Sequence, residues 1–239
     1  TGSLFAQRIP TLVKDENARE FLAFIPRNSQ GLELVDDWSG FGQRTTGSGT
    51  AKFNQVAVLA EDIIPFDSAF TEPTLVGPFA QIMHAAIETG IARAAFEETL
   101  VRVRQARPWI DSGVETAVED PLTCYELGRI IVEVRASEVL LKQAARSIDA
   151  ARPHPTAENI AKASLDVAKV RAHSTETALK ASSKLIELAG SRGSQREDGL
   201  DRFWRNARVH TLHDASRWKY YFIANHVLNG ILPPRRGTL

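Results

Sequence analysis

Residues 201–214 read Asp-Arg-Phe-Trp-Arg-Asn-Ala-Arg-Val-His-Thr-Leu-His-Asp, a stretch whose spacing is helical and whose chemistry is unusually dense. His210 falls one turn before His213 and Asp214, while Arg202, Arg205 and Arg208 recur at every third position on a neighbouring face. One face can carry proton chemistry, since histidine titrates nearest neutrality and an acidic partner one turn away fixes its tautomer. The adjacent arginine face can hold an anion. The same pattern also describes a solvated, salt-bridged surface helix.

Outward from this stretch, the chain from residue 78 has helical period. Ile82, Ala85, Thr89, Ala92, Phe96 and Leu100 form a first stripe, ended by Arg107-Pro108. Asp120-Pro121 has the cap-then-proline order of a helix start, and Leu127, Ile131, Val134 and Leu141 follow it. Thr156 opens a third helix that carries Ile160 to Leu188 and stops at Gly190. The fourth holds the opening stretch and is expected to continue through Trp218 and Phe222 to Gly230. Four helices with short connections predict an antiparallel bundle. His84, alone in the first helix, reads as a hydrogen-bonded core or surface residue.

The amino-terminal part has a different texture. Short apolar runs at 9–13, 20–25, 32–35 and 51–59 predict an antiparallel β unit whose edges have no obvious closing partner. Trp38-Ser39-Gly40-Phe41-Gly42-Gln43 and the glycines after it do not sit between a strand and a helix, which excludes a dinucleotide or phosphate-binding loop and favours a hairpin region. The fold class expected is therefore α+β: a partial antiparallel β domain over 1–74, then a carboxy-terminal antiparallel four-helix bundle over 75–239.

Lysine plus arginine and aspartate plus glutamate both number 29, so the overall charge favours neither nucleic acid nor an anionic membrane. The single cysteine, Cys124, permits no internal disulfide and no cysteine-rich metal site, and suits a reducing, cytoplasmic setting. No apolar run approaches the roughly 18 residues of a membrane span. No third ligand is visible beside His210 and His213, so no metal is expected.

The stretch DRFWRNARVHTLHD, together with DDWSGFGQRTTGSGT at 36–50, resembles the flavin-dependent monooxygenase branch of the acyl-CoA dehydrogenase superfamily, whose members oxidise dibenzothiophene or small sulfones. The resemblance implies a middle β domain that is incomplete at its start, a missing amino-terminal helical domain, and assembly as a homodimer or homotetramer. It implies reduced FMN, delivered by a separate flavin reductase, with oxygen forming a flavin C4a-(hydro)peroxide that acts on a small organosulfur or related apolar compound. His213 is then the proton-handling residue, with His210 and Asp214 as candidates to orient it. Thr1, Gly2 and Ser3 resemble the segment that lines the flavin ring, although such a tripeptide at a chain end also reads as a frayed terminus. Trp38 covers an aromatic ring or fills a core. Arg107 resembles the arginine that reaches a flavin phosphate, and Gly190-Ser191 the nearby glycine loop, Gly190 being also a helix stop. Two alternatives remain: an FAD-dependent acyl-CoA dehydrogenase, at the place of whose catalytic glutamate this chain has His213 and Asp214, followed by Ala215-Ser216-Arg217 and not by a typical Glu-Gly-Thr sequence, and a catalytically inactive assembly fragment.

Overall fold

Strand alternation near the start builds β1 (Arg8–Lys14) and β2 (Glu20–Pro26), paired antiparallel from Arg8 opposite Pro26 to Lys14 opposite Glu20. Ile9 and Ile25 face each other in this register and both are buried. The connecting turn is held by Asp15, whose carboxylate accepts from the backbone N–H groups of Asn17 and Arg19, each at 2.9 Å. The computed structural model describes residues 1–239 and divides into two units, Thr1–Thr74 and Leu75–Leu239.

In the first unit β3 (Leu32–Val35) and β4 (Thr50–Phe53) make a separate two-stranded sheet, joined by a loop that Asp37 ties back through bonds of 2.8 Å to the Thr50 amide and hydroxyl. The glycine-rich segment is thus the connection of a hairpin, as its sequence predicts. Two expectations need correction. The run 51–59 stops being a strand at Phe53, because Asn54 closes the hairpin by donating to the Gly31 carbonyl at 2.9 Å and Gln55 turns the backbone to a φ of 50°. A further strand, β5 (Ile63–Pro65), pairs with β2 to give the order β1-β2-β5. At three residues ending in proline it gives almost no periodic signal, and its place at a sheet edge tolerates the proline.

The second unit is helical: α1 (Val76–Gln105), α2 (Pro121–Ala151), α3 (Ala157–Leu188), α4 (Asp201–His210) and α5 (Arg217–Asn229). The caps are those the sequence predicts. Asp120 accepts from the Leu122 amide at 3.0 Å with Pro121 in the first turn, Thr156 accepts from the Asn159 amide at 3.2 Å, and Gly190 takes a left-handed φ of 70° after α3. The fourth helix differs from expectation. It is two helices, separated at 211–216, because α4 closes at its own carboxyl end: the amides of Thr211, Leu212 and His213 all bond back to carbonyls of its last turn.

α3 is the spine, packed against all four other helices. Its small and branched residues join two apolar clusters. One contains Ala85, Ala144, Ile148, Val167 and Val170; the other contains Ala92, Phe96, Val134, Ala181 and Leu185. Between them along α1 lie Glu88 and Thr89, and along α3 lie Arg171, Ser174 and Thr175, all buried. A polar layer thus interrupts the core. No helix is long and apolar enough to cross a membrane.

Replacing the fully buried Leu185 with alanine should cost about 2–5 kcal/mol in urea unfolding followed by helical circular dichroism. Leu122→Ala, at a site 73% exposed, should stay within about 0.5 kcal/mol. Equal losses would contradict this placement of the core.

Candidate functional site

The polar layer is built on a carboxylate. Glu88 of α1 and Arg171 of α3 are both 0% exposed and form an ion pair through Arg171 Nη1 and Glu88 Oε1. Charges taken out of water are tolerated when paired and hydrogen-bonded; Glu88 is bonded through both oxygens, whereas Arg171 is bonded through Nη1 alone and its Nε and Nη2 are buried without a hydrogen-bond partner. Ser174 and Thr175 donate hydroxyls to Glu88 Oε2 at 2.9 Å each, and Arg171 Nη1 also reaches Thr175 Oγ1 at 2.9 Å. Burial by itself would raise the Glu88 pKa, but the bond from His210, the Arg171 charge and the Thr175 hydroxyl outweigh it and hold the carboxyl below its ordinary value.

Three imidazoles, tilted against one another by 43–49°, cluster beside this carboxylate. His210, the buried last residue of α4, places Nδ1 3.1 Å from Glu88 Oε1 and Nε2 3.2 Å from His84 Nδ1. His213 lies in the turn after α4, where its Nδ1 donates to the His210 carbonyl at 2.7 Å. Ring centroids are 5.1 Å apart for His84 and His210, and 4.8 Å for His213 with each of them. Burial, followed by the charges of His210, Arg171 and His213, pushes the His84 pKa down to about 4, against an opposing pull from Asp214. His84 is therefore neutral at neutral pH. The break between α4 and α5 is what turns His213 outward: it is exposed, His84 is half-buried and His210 is 3% exposed.

The other members of the opening stretch are committed locally. Asp214 pairs at 3.2 Å with Lys219 of α5, an ammonium 2% exposed that also donates to the Thr238 carbonyl. Burial lowers the Lys219 pKa and Asp214 opposes the shift. This pair, with Trp218, Phe222 and Leu239, lines a pocket of about 290 Å³. The arginine face does not stand free for an anion: Arg205 pairs with Asp201 at 2.8 Å, Arg208 reaches Thr211 Oγ1 at 2.8 Å, and Arg202 lies over the Phe203 ring.

The model of the acyl-CoA dehydrogenase C-terminal domain matches residues 82–218, from within α1 to the first residues of α5. The chain belongs to this family. It is 36% identical to a dibenzothiophene monooxygenase of Mycolicibacterium goodii over 88% of its length and 54% of the relative's. It is 31% identical to a probable FMNH2-dependent monooxygenase, SfnC, of Pseudomonas putida over 98% of its length and 61% of the relative's. The FMN-bound structure of TdsC from Paenibacillus sp. A11-2 superposes with a TM-score of 0.94 at 30% identity, covering the whole chain and 64% of TdsC. The chain thus spans somewhat more than half the length of the curated relatives it matches.

Within this acyl-CoA dehydrogenase-like fold, the remaining candidate residues fall in separate places. Thr1, Gly2 and Ser3 line a pocket of about 530 Å³ in the first unit with Pro10, Leu12 and Phe53. Thr1 Oγ1 lies 2.9 Å from Ser48 Oγ, and the Gly2 amide donates to the Thr46 carbonyl at 2.7 Å. Trp38 lies in the hairpin loop, where its ring N–H donates to the Gln43 carbonyl at 3.0 Å and its ring occupies the space a side chain at Gly40 would need. In the second unit Arg107, Gly190 and Ser191 are exposed, and their neighbours Ala106 and Ala189 border one pocket between the ends of α1 and α3.

His84, Glu88 and Arg171 are the residues that sequence reasoning missed. The available signal was positional: Glu88 lies one turn from both His84 and Ala92, on the stripe that buries α1. His84 also supplies the third histidine that the sequence did not reveal, giving a group whose ring nitrogens lie within 4.8 Å of one another. Within that group the rings of His84 and His210 are joined in a hydrogen-bonded chain that ends on Glu88. Both nitrogens of His210 and the Nδ1 atoms of His84 and His213 face partners inside the protein.

Because His84 binds its proton more weakly when folded than the ordinary imidazole pKa of about 6.5, protons taken up below that value favour the unfolded chain. Its contribution is complete above about pH 6.5 and declines as pH falls towards 4. The depressed Glu88 adds a further loss below the ordinary glutamate range. Stability measured by urea unfolding should fall across the first window, and His84→Gln should flatten that part of the curve. An unchanged slope in the variant would contradict the neutral assignment.

Proposed function

We propose that this chain is the β and carboxy-terminal helical part of a flavin-dependent monooxygenase that uses reduced FMN and oxygen on a small organosulfur or related apolar compound. The observation that carries this reading is the three-histidine cluster, an exposed imidazole backed by two more and a buried carboxylate, in a chain similar to monooxygenases over both of its units. The acyl-CoA dehydrogenase alternative needs a free carboxylate to take a proton from a thioester. Asp214, the carboxylate in that part of the chain, is instead the counterion of a buried lysine. The inactive-fragment alternative has no feature of its own in support.

The side chains available suit FMN. In the second unit, exposed Arg107 offers a guanidinium for a phosphate, with Gly190 and Ser191 beyond the end of α3 as further donors. In the first unit, Thr1 and Ser3 border a pocket with their hydroxyl groups. Trp38, with its N–H already satisfied, supplies an aromatic face. When bound, the reduced flavin supplies the oxygen chemistry, and the protein's part is to orient, to exclude water and to handle protons. His213 does the last. Its Nδ1 is committed to the His210 carbonyl, so Nε2 is the atom at which it gives and takes a proton.

The same reading assigns residues 1–74 to the middle β domain and 75–239 to the helical domain, with α4 and α5 together serving as the fourth member of an antiparallel bundle. A second copy covering exposed apolar residues of α2, such as Val132 and Val139, would give the homodimer or homotetramer. A separate reductase supplies the flavin in reduced form, and the exposed thiol of Cys124 fits a reducing cytoplasm.

Titration of the protein with FMN and with FAD, followed by tryptophan fluorescence, should show saturable binding that prefers FMN. In the complete protein His213→Phe should leave FMN affinity within about threefold and lower oxygenation about 10²–10⁴-fold. Unchanged turnover in the variant, or a preference for FAD, would overturn the assignment.

A further inference from the structure

Behind His213 is a chain of groups that the proposed reaction does not by itself require. His210 is 3% exposed and both of its nitrogens are engaged, Nδ1 with Glu88 and Nε2 with His84. A proton can therefore reach or leave His210 only through Glu88, which is sealed in the core, or through half-buried His84. Glu88 receives four contacts, from Arg171, Ser174, Thr175 and His210, and every one suits an ionised carboxylate.

These contacts fix the tautomers in sequence. An ionised Glu88 requires N–H at His210 Nδ1. Neutral His210 then offers a lone pair at Nε2, which requires N–H at His84 Nδ1 and leaves His84 Nε2 as an open acceptor. His213, through its bond to the His210 carbonyl, is also held with its proton on Nδ1. All three rings are thus set against the Nε2–H form that a histidine in water prefers.

We propose that His84, His210 and Glu88 form a proton-storing relay behind the exposed histidine, with Glu88 and Arg171 as positioning residues. A proton arriving at His84 Nε2 makes a new N–H bond there. The His84 Nδ1–H bond breaks, and that proton crosses the 3.2 Å contact to His210 Nε2. His84 ends neutral with its proton on Nε2, and His210 becomes an imidazolium facing Glu88. Release is the reverse, and one proton is gained or lost overall.

Charge placement sets the direction of storage. The groups facing His84 are His210 and His213 from α4 and the turn after it, Arg171 from α3 and Asp214 beside Lys219. The summed effect of burial and the neighbouring cations disfavours a charge on His84, whereas His210 has a carboxylate in direct contact. The relay rests on the reading of this cluster as a proton-handling centre and specifies which atoms hold the proton.

Nitrogen-15 NMR of protein labelled at histidine reads tautomer and charge ring by ring, with signals assigned from single histidine substitutions. At about pH 9, well above the ordinary imidazole value of about 6.5, His84 and His210 should both be Nδ1–H. As pH is lowered, His210 should become doubly protonated while His84 stays neutral and changes to Nε2–H. Nε2–H at either ring at high pH, or a charge on His84 before His210, would overturn the relay.

Glu88→Gln removes the carboxylate that requires N–H at His210 Nδ1, so at about pH 9 the Nε2–H form of His210 should appear beside the Nδ1–H form. An unchanged tautomer balance would remove Glu88 from its positioning role. If this variant does not fold, the wild-type tautomers decide alone. None of these readings needs flavin, so the relay can fail while FMN binds, and FMN binding can fail while the relay stands.

Discussion

The buried ion pair between Glu88 and Arg171 is the constraint on which the helical unit depends. It lies between two apolar clusters on α1 and α3. Replacing such a pair with apolar residues is often neutral or stabilising, whereas removing one partner alone is severe. Stability therefore does not account for it. What the pair does provide is an ionised carboxylate in a fixed position beneath a helix end, and the hydroxyls of Ser174 and Thr175, one turn along α3, hold its other oxygen.

The rest of the site follows from that fixed point. Glu88 orients His210, and His210 orients both other rings, one through its side chain and the other through its backbone carbonyl. The break between α4 and α5 is necessary to this arrangement: on a continuous helix His213 would spend its backbone on the ladder and could not fold its ring back onto the preceding turn. α5 then brings Lys219 against Asp214, so the acidic residue that follows His213 in the chain is occupied in balancing a buried ammonium.

Much of this architecture was legible in the sequence because it is written locally. The caps at Asp120 and Thr156 and the stop at Gly190 use side chains and backbone within a few residues of the helix ends. The alternation of β1 and β2 is likewise local, and the stretches at 201–214 and 36–50 together carry the resemblance to the family. The network behind it was not legible. His84 and His210 are separated by 126 positions, Glu88 and Thr175 by 87, and no spacing rule joins residues on different helices. Within α1, Glu88 gives the same letter whether it is solvated or buried, and only the stripe formed by Ala85 and Ala92 reveals which. The three-residue β5 and the α4–α5 break were hidden for a related reason: one is too short to show a period, and the other is decided by hydrogen bonds at a helix end rather than by hydrophobic spacing.

The central claim is that this fold, with imidazoles where a dehydrogenase needs a free carboxylate, serves oxygen transfer. The most direct test supplies the complete protein with reduced FMN, isotopically heavy dioxygen and an organosulfur compound such as dibenzothiophene, and weighs the product by mass spectrometry. The account predicts a product carrying one labelled oxygen atom per oxygenation. An unlabelled product, or a flavin that is bleached by an acyl-CoA thioester while the organosulfur compound is left untouched, would contradict it.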